Sequence, residues 1–330
     1  MFNLNNDSGP MSDRPKLSAI IPHELAGLRL DQALARMFDD FSRTTLKNWL
    51  LTGHIRKNGQ PGKPRELVAG GEEIEIWSVQ QGDDRDLPED IPLDIIFADD
   101  DIVVVNKPAG LVTHPGAGNP RGTLLNALLH FDPGLASLPR AGIIHRLDKG
   151  TSGLLVVARS IPAHTRLVRA LQEHRVKRSY QAISCNVPIS GGTIALPIGR
   201  HPTHRTKMAV VEHGKPATTH YRVITRFLRH AHLGIVLETG RTHQIRVHMA
   251  HSGFPLIGDA SYGGTAHSAK GIPDRLRAAI TAFPRQALHA ARLELTHPTK
   301  SEAMWWEIPP PDDFAGLLTE LSLDTNETEN

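Results

Sequence analysis

Between Ile91 and Pro311 short β-rich runs outnumber helical stretches, and the two do not alternate one for one. A doubly wound parallel sheet needs that alternation, because each parallel crossover carries a helix. The pattern therefore predicts an α+β fold with a mixed or antiparallel sheet. Ile102–Val105, Leu154–Ala158, Tyr180–Ile183, His220–Ile224 and Gly234–Leu237 read as strands. Pro162–Glu173 reads as a helix, with Pro162 in its first turn and Leu167, Ala170 and Leu171 on one face. Thr242–His251 reads as another, stopped by Gly253. The 330 residues hold two domains at roughly 150 each, and no internal repeat divides them.

A basic module precedes this body. Leu30, Ala33, Leu34, Met37 and Phe38 fall at helical spacing. Ser42 can cap a second helix carrying Leu46, Trp49 and Leu50, which Gly53 ends. Asn58-Gly59 marks a tight turn, and Glu72–Ile76 alternates like a strand. The stretch RLDQALARMF…SRTTLKNWLLTGHIRKNGQ resembles the small RNA-binding domain named after ribosomal small-subunit protein four. That resemblance makes Arg43, Lys47 and Arg56 RNA-contact candidates. The expected layout is a disordered tail over 1–17, the small domain over 18–78 and an acidic linker over 79–91. The main domain follows over 92–311, and a disordered acidic tail over 312–330.

Charge is distributed in blocks. Arg140–His251 holds 18 Lys/Arg against 4 Asp/Glu, with 12 of the 19 histidines, whereas the whole chain nets only +2. A polyanionic partner follows, because clustered cations gain affinity by displacing phosphate counterions. No run of 18 apolar residues exists, and the amino terminus lacks the apolar core of a signal peptide. The single cysteine, Cys185, rules out a disulfide framework and a cysteine-based zinc site. These features point to the cytoplasm and away from a membrane.

The segment from Gly142 to Ala158, GIIHRLDKGTSGLLVVA, carries the chemistry. An apolar pair enters a polar turn, and Gly153 opens a buried strand. The turn presents Arg146, Asp148 and Lys149 together. A carboxylate among cations stays ionised, the state a nucleophile needs. From spacing alone, a structural salt bridge accounts for the turn equally well.

The run His145–Gly153, HRLDKGTSG, resembles the signature of the RluA family of pseudouridine synthases. Further blocks follow in that family's order: Arg178-Ser-Tyr180, Gly240–His248, Gly258–Gly264 and Gln286–Arg292, with Asn106-Lys-Pro108 and His114–Asn119 upstream. The likeness spans residues 18–311. Gly150 departs from it, standing where an Asp is usual. The leader domain, HPGAGNP, Arg200–Arg205 and Gly214–Pro216 are similar to members acting on large-subunit ribosomal RNA. The resemblance implies that uridine is detached at nitrogen 1 and rejoined through carbon 5, without metal, nucleotide or redox cofactor. It gives Asp148 the role of nucleophile and Tyr180 that of a ring stacked on the base, able to accept the carbon-5 proton. Arg246 becomes the cation paired with Asp148. Arg146 fills the gap left by the extruded base, while Lys149 and Arg241 contact phosphate or support a loop. The implied partner is large-subunit ribosomal RNA or a pre-ribosomal particle, at the helix 69 stem-loop, met by a monomer. Other ribosomal uridines, or RNA binding without catalysis, are the alternative readings. The intact Asp148, Tyr180 and Arg246 speak against the second of these.

Other motifs carry less. His201-x-x-His204 and His248-x-x-His251 lack a glutamate in zincin spacing, and most of these histidines read as surface or RNA-facing. The glycine clusters at 116–118 and 191–192 lack the phosphate-binding pattern, and Cys185, at an expected strand end, does not read as a nucleophilic thiol.

Overall fold

The computed structural model describes residues 17–38, 43–76, 87–116, 118–204, 206–263 and 272–329. Two compact units divide the chain, residues 1–82 and 83–330.

The first unit contains β1 (Leu17–Ile20), α1 (Leu30–Met37), α2 (Arg43–Leu51), β2 (Ile55–Lys57), β3 (Gln60–Pro61) and β4 (Glu73–Ile76). Its strands form an antiparallel sheet in the order β1-β4-β2-β3. Leu30, Leu34, Leu46, Leu50, Ile55 and Ile74 are buried together, as the helical spacing requires. Asn58 and Gly59, at φ 50° and 74°, make the two-residue hairpin between β2 and β3. The expected tail over 1–17 lies outside the described residues except for Leu17, which opens β1. Ser42, the expected helix cap, also lies outside them.

The second unit opens with β5 (Asp94–Ala98), β6 (Ile102–Lys107), α3 (Leu124–Phe131), β7 (Ser152–Ala158), α4 (Ile161–Gln172) and β8 (Lys177–Cys185). Then come β9 (Gly192–Ala195), β10 (Ile198–Arg200), β11 (Met208–Val210), β12 (Thr218–Arg226), β13 (His230–Leu237) and α5 (Gln244–His251). It closes with α6 (Asp274–Ala282), β14 (Leu288–Thr296), β15 (Ala303–Glu307) and α7 (Asp312–Glu329). Nine strands form one sheet in the order β5-β6-β7-β14-β8-β13-β12-β9, with β15 paired to β14. The β7–β14 pairing is parallel and the others are antiparallel, so the sheet is mixed. A small hairpin joins β10 and β11.

Burial on both faces explains the uninterrupted apolar runs. Val103, Val105, Leu155 and Val157 face a core shared with Leu124 and Leu128 of α3 and Met249 of α5. Ile102, Val104, Leu154 and Val156 face the opposite core with Ala163 and Leu167 of α4. Ser160 caps α4 by accepting from the Ala163 N–H at 3.2 Å. Gly153, at φ 115°, lets β7 meet β14. A Cβ there would stand 2.3 Å from the Ala290 carbonyl oxygen.

Two expectations are corrected. Residues 312–329 are not a disordered tail but α7, whose Phe314, Leu317 and Leu321 bury against Leu276 and Ile280 of α6. These residues sit at helical spacing, and the surrounding acids hide the stripe. The expected linker over 79–91 overlaps the main unit. Residues 79–86 lie outside the described residues, while Leu87 and Glu89 hydrogen-bond Asn126 of α3.

Candidate active site

The turn between Ile143 and β7 is fixed from several sides. Thr113 donates to the Leu147 carbonyl at 2.8 Å, and the Gly110 N–H to that of Lys149 at 2.7 Å. Arg285 donates to the Gly150 carbonyl at 3.0 Å, and Gln286 to the Thr151 hydroxyl at 3.0 Å. Gly150 lies so close to Gln286 that a Cβ would stand 2.6 Å from its Oε1. Lys107, wholly buried at the end of β6, donates to the carbonyls of Pro108 at 2.8 Å and Leu111 at 2.9 Å, and more distantly to Lys149. Burial pushes its ammonium down to about 7, against the opposing pull of Asp148.

Asp148 is thus presented on a rigid turn. Its Oδ2 accepts from Arg246 Nη1 at 3.0 Å. The rest of the Arg246 fork is committed to Asp259, with Nε to Oδ2 at 2.7 Å and Nη2 to Oδ1 at 2.9 Å. Asp259 also accepts from the Ser261 and Tyr262 N–H groups. Burial works against the Arg246 charge, but Asp259 and Asp148 outweigh it and hold the guanidinium above its ordinary pKa. Arg246 also lies 5.0 Å from the Tyr262 ring centre. The other oxygen of Asp148 faces His243 Nε2 at 3.9 Å.

Tyr180 sits on β8 and is buried. Burial raises its hydroxyl pKa; the Arg178 charge opposes this and the Asp148 charge adds to it. The ring therefore meets its surroundings as a neutral phenol. Arg146 is exposed beside this group, and among the described residues it makes no hydrogen bond or ion pair. Lys149 is exposed and reaches Asn119 at 3.4 Å. Arg241 donates to the Pro216 carbonyl at 3.1 Å and so braces a loop. Asp148 and Arg246 thus come together, with Arg146 and Lys149 flanking Asp148 on the same turn. In the first unit Arg43 is engaged with Asp31 at 2.7 Å, Lys47 is exposed on α2, and Arg56 is half-buried on β2.

Sequence reasoning gave no role to Asp259, His243 or Tyr262. All three lie in blocks that matched by resemblance, yet nothing in their spacing ties them to Asp148. One histidine reading is corrected. His248 is buried, not surface or RNA-facing, and its two nitrogens are taken by Thr219 and the Leu196 carbonyl. Among the described residues no group of three or more histidine, cysteine or carboxylate side chains could hold a metal ion. No helix among them is long and apolar enough to cross a membrane.

A carboxylate held by a guanidinium, on a turn that also presents the exposed Arg146, can act as a nucleophile on a planar ring or an adjoining carbon. Comparison with known proteins shows the family. The family described as RNA pseudouridylate synthase matches residues 101–251. Ribosomal large subunit pseudouridine synthase D of Yersinia pestis is 50% identical over 318 residues, covering 96% of this chain and 98% of that protein. The protein of that name from Escherichia coli K12 shows the same identity and coverage. Human RNA pseudouridylate synthase domain containing 4 is 25% identical with a TM-score of 0.54, over 69% of this chain and 93% of that one. Human RNA pseudouridylate synthase domain containing 1 is 29% identical with a TM-score of 0.52, over 67% and 84%.

Proposed function

Because this chain belongs to the RNA pseudouridylate synthase family and is a pseudouridine synthase, we propose that it isomerises uridines of large-subunit ribosomal RNA with Asp148 as nucleophile. The supporting observation is the Arg246 fork, locked on Asp259 with its remaining nitrogen 3.0 Å from Asp148. Addition to the pyrimidine ring, attack on the sugar and a glycal route all begin from an ionised, oriented carboxylate. Arg246 fixes the orientation and sets a cation against the carboxylate. The substrate assignment rests on the large-subunit synthases to which the chain is 50% identical. Within that RNA the family resemblance implies the helix 69 stem-loop, a target whose loop bases are among the easiest to extrude.

Tyr180 stacks on the extruded base as a neutral phenol. Arg146, exposed and uncommitted, offers its planar guanidinium to the bases left behind. The enzyme works as a cytoplasmic monomer without a cofactor, because a carboxylate and its cation suffice for a reaction with no net redox change. RNA labelled with tritium at carbon 5 of uridine tests the proposal: the purified protein should release tritium from large-subunit RNA and leave pseudouridine in its place. Binding without release would reduce it to an RNA-binding protein.

The basic first unit supplies docking rather than chemistry on this reading. Deleting residues 1–82 removes Lys47, Arg56 and their neighbours and none of the residues around Asp148. Binding to large RNA should weaken and its logarithmic salt dependence should flatten, by about 0.7 to 0.9 for each phosphate that is no longer neutralised. Isomerisation of a short stem-loop should survive. An unchanged salt slope after deletion would show that this unit does not touch RNA.

A further inference from the structure

We infer that His243 is a positioning residue for Asp148, held in a single tautomer by a directed hydrogen-bond chain that begins at the backbone of β11. The inference rests on the reading of Asp148 as nucleophile. The first link of the chain has one available direction, and it sets the second. A backbone N–H can only donate, so Met208 N, 2.9 Å from the Tyr262 hydroxyl, gives its proton to that oxygen. With that oxygen already accepting, the hydroxyl's own proton is assigned to His243 Nδ1, the ring nitrogen 2.8 Å away. With Nδ1 accepting, a neutral imidazole carries its proton on Nε2. That nitrogen faces Asp148 Oδ1 at 3.9 Å, the oxygen that Arg246 leaves free.

The two oxygens are held differently. Arg246 grips Oδ2 by a charge-assisted hydrogen bond and stops the carboxylate from turning. At 3.9 Å the His243 N–H acts on Oδ1 through its dipole, too far for a hydrogen bond. Oδ1 is therefore oriented without a hydrogen bond to hold it, which makes it the attacking oxygen on this reading.

The backbone at His243 agrees with a dedicated role. The residue sits at φ 57°, ψ 21°, the left-handed region that side-chain-bearing residues seldom adopt, and serves as the N-cap of α5 without a side-chain cap bond. The ring instead turns toward Tyr262, edge-on at 5.7 Å between centres. The charged and titratable groups facing it are Asp148, Arg246, Asp259, Arg146 and Tyr262. Burial lowers the pKa of the imidazole; the two carboxylates pull it up and the two guanidinium groups push it down. The ring stays neutral at neutral pH. Once protonated it would pair with Asp148 and quench the nucleophile.

Tyr262→Phe tests the chain, because it keeps the ring beside Arg246 and removes only the hydroxyl. Nitrogen-15 spectra of the imidazoles, with His243 assigned by its loss in His243→Gln, should show the Nε2–H tautomer in the unaltered protein and a mixture in Tyr262→Phe. The single-turnover rate should fall about tenfold in Tyr262→Phe with RNA affinity within about twofold. Its acid limb should move to higher pH, because an Nδ1 without a donor takes a proton more readily. His243→Gln, which can place an amide N–H near the same point, should keep more activity than His243→Ala. An Nδ1–H tautomer in the unaltered protein overturns the inference, and so does a Tyr262→Phe rate and acid limb identical to the parent's. Turnover by Asp148→Asn would instead sink the nucleophile reading and leave the tautomer measurement intact.

Discussion

Asp148→Asn should lower single-turnover isomerisation by at least about 10³-fold, close to 4 kcal/mol of barrier. Asparagine keeps the size of the side chain. Its amide oxygen can still accept from Arg246 Nη1, so the packing around Arg246 and Asp259 should persist. The missing element is the negative charge that makes the carboxylate a nucleophile. RNA affinity should stay within about tenfold, because the removed group is a lone anion in a basic stretch and contributes no attraction to phosphate. The check is tritium release at saturating enzyme, in a preparation free of deamidated protein. Normal turnover by the asparagine variant would take Asp148 out of the reaction.

That effect is large because the surroundings of Asp148 are already arranged. Asp259 binds two of the Arg246 nitrogens, so the third reaches Asp148 in a fixed geometry. The turn below is pinned by Thr113, Arg285 and Gln286, with Lys107 reaching the Lys149 carbonyl more distantly. This preorganisation was only partly legible in the sequence. The run from Ile143 to Ala158 stands out as a polar turn entering an apolar strand, but that local pattern fits a salt bridge equally well, and its catalytic reading came from the family resemblance. The mixed sheet was also legible, from strands that outnumber helices. Asp259 was not, since 13 residues separate it from Arg246 and only the fold brings the two side chains to 2.7 Å. Lys107 was equally hidden. It follows an apolar run and would ordinarily snorkel to water, yet here it points inward and satisfies backbone carbonyls. Tyr262 and His243 are 19 residues apart and hydrogen-bond each other only because the fold brings them together, with a backbone N–H of a separate hairpin donating to the same hydroxyl. The C-terminal segment was misread for another reason. From Asp312 onward there are six acids and no base, which suggests a solvated tail, but helix faces are set by spacing rather than average polarity.

Removal of residues 312–330 should therefore destabilise the main unit severely. The deletion strips out Phe314 and Leu321, both wholly buried, and Leu317. Phe314→Ala alone should cost about 3–5 kcal/mol, against a total stability of about 5–15 kcal/mol for an ordinary protein. A second loss compounds the first. Asp313 takes two nitrogens of Arg285, at 2.7 and 2.8 Å, and the same guanidinium reaches the Gly150 carbonyl in the Asp148 turn. Without Asp313 a buried guanidinium is left unpaired beside that turn. Burial pulls the Asp313 pKa up, but the Arg285 hydrogen bonds outweigh it and hold the carboxyl below its usual value. A carboxyl whose folded pKa is depressed stabilises the fold above the unfolded value, near ~4, and loses that contribution as pH falls below it. Urea unfolding monitored by tryptophan fluorescence should show a much lower midpoint for the truncated chain and an intermediate one for Phe314→Ala. Asp313→Asn should narrow its deficit relative to the parent as pH drops below ~4. If truncation leaves both the midpoint and turnover unchanged, α7 contributes neither to the core nor to the support of the Asp148 turn.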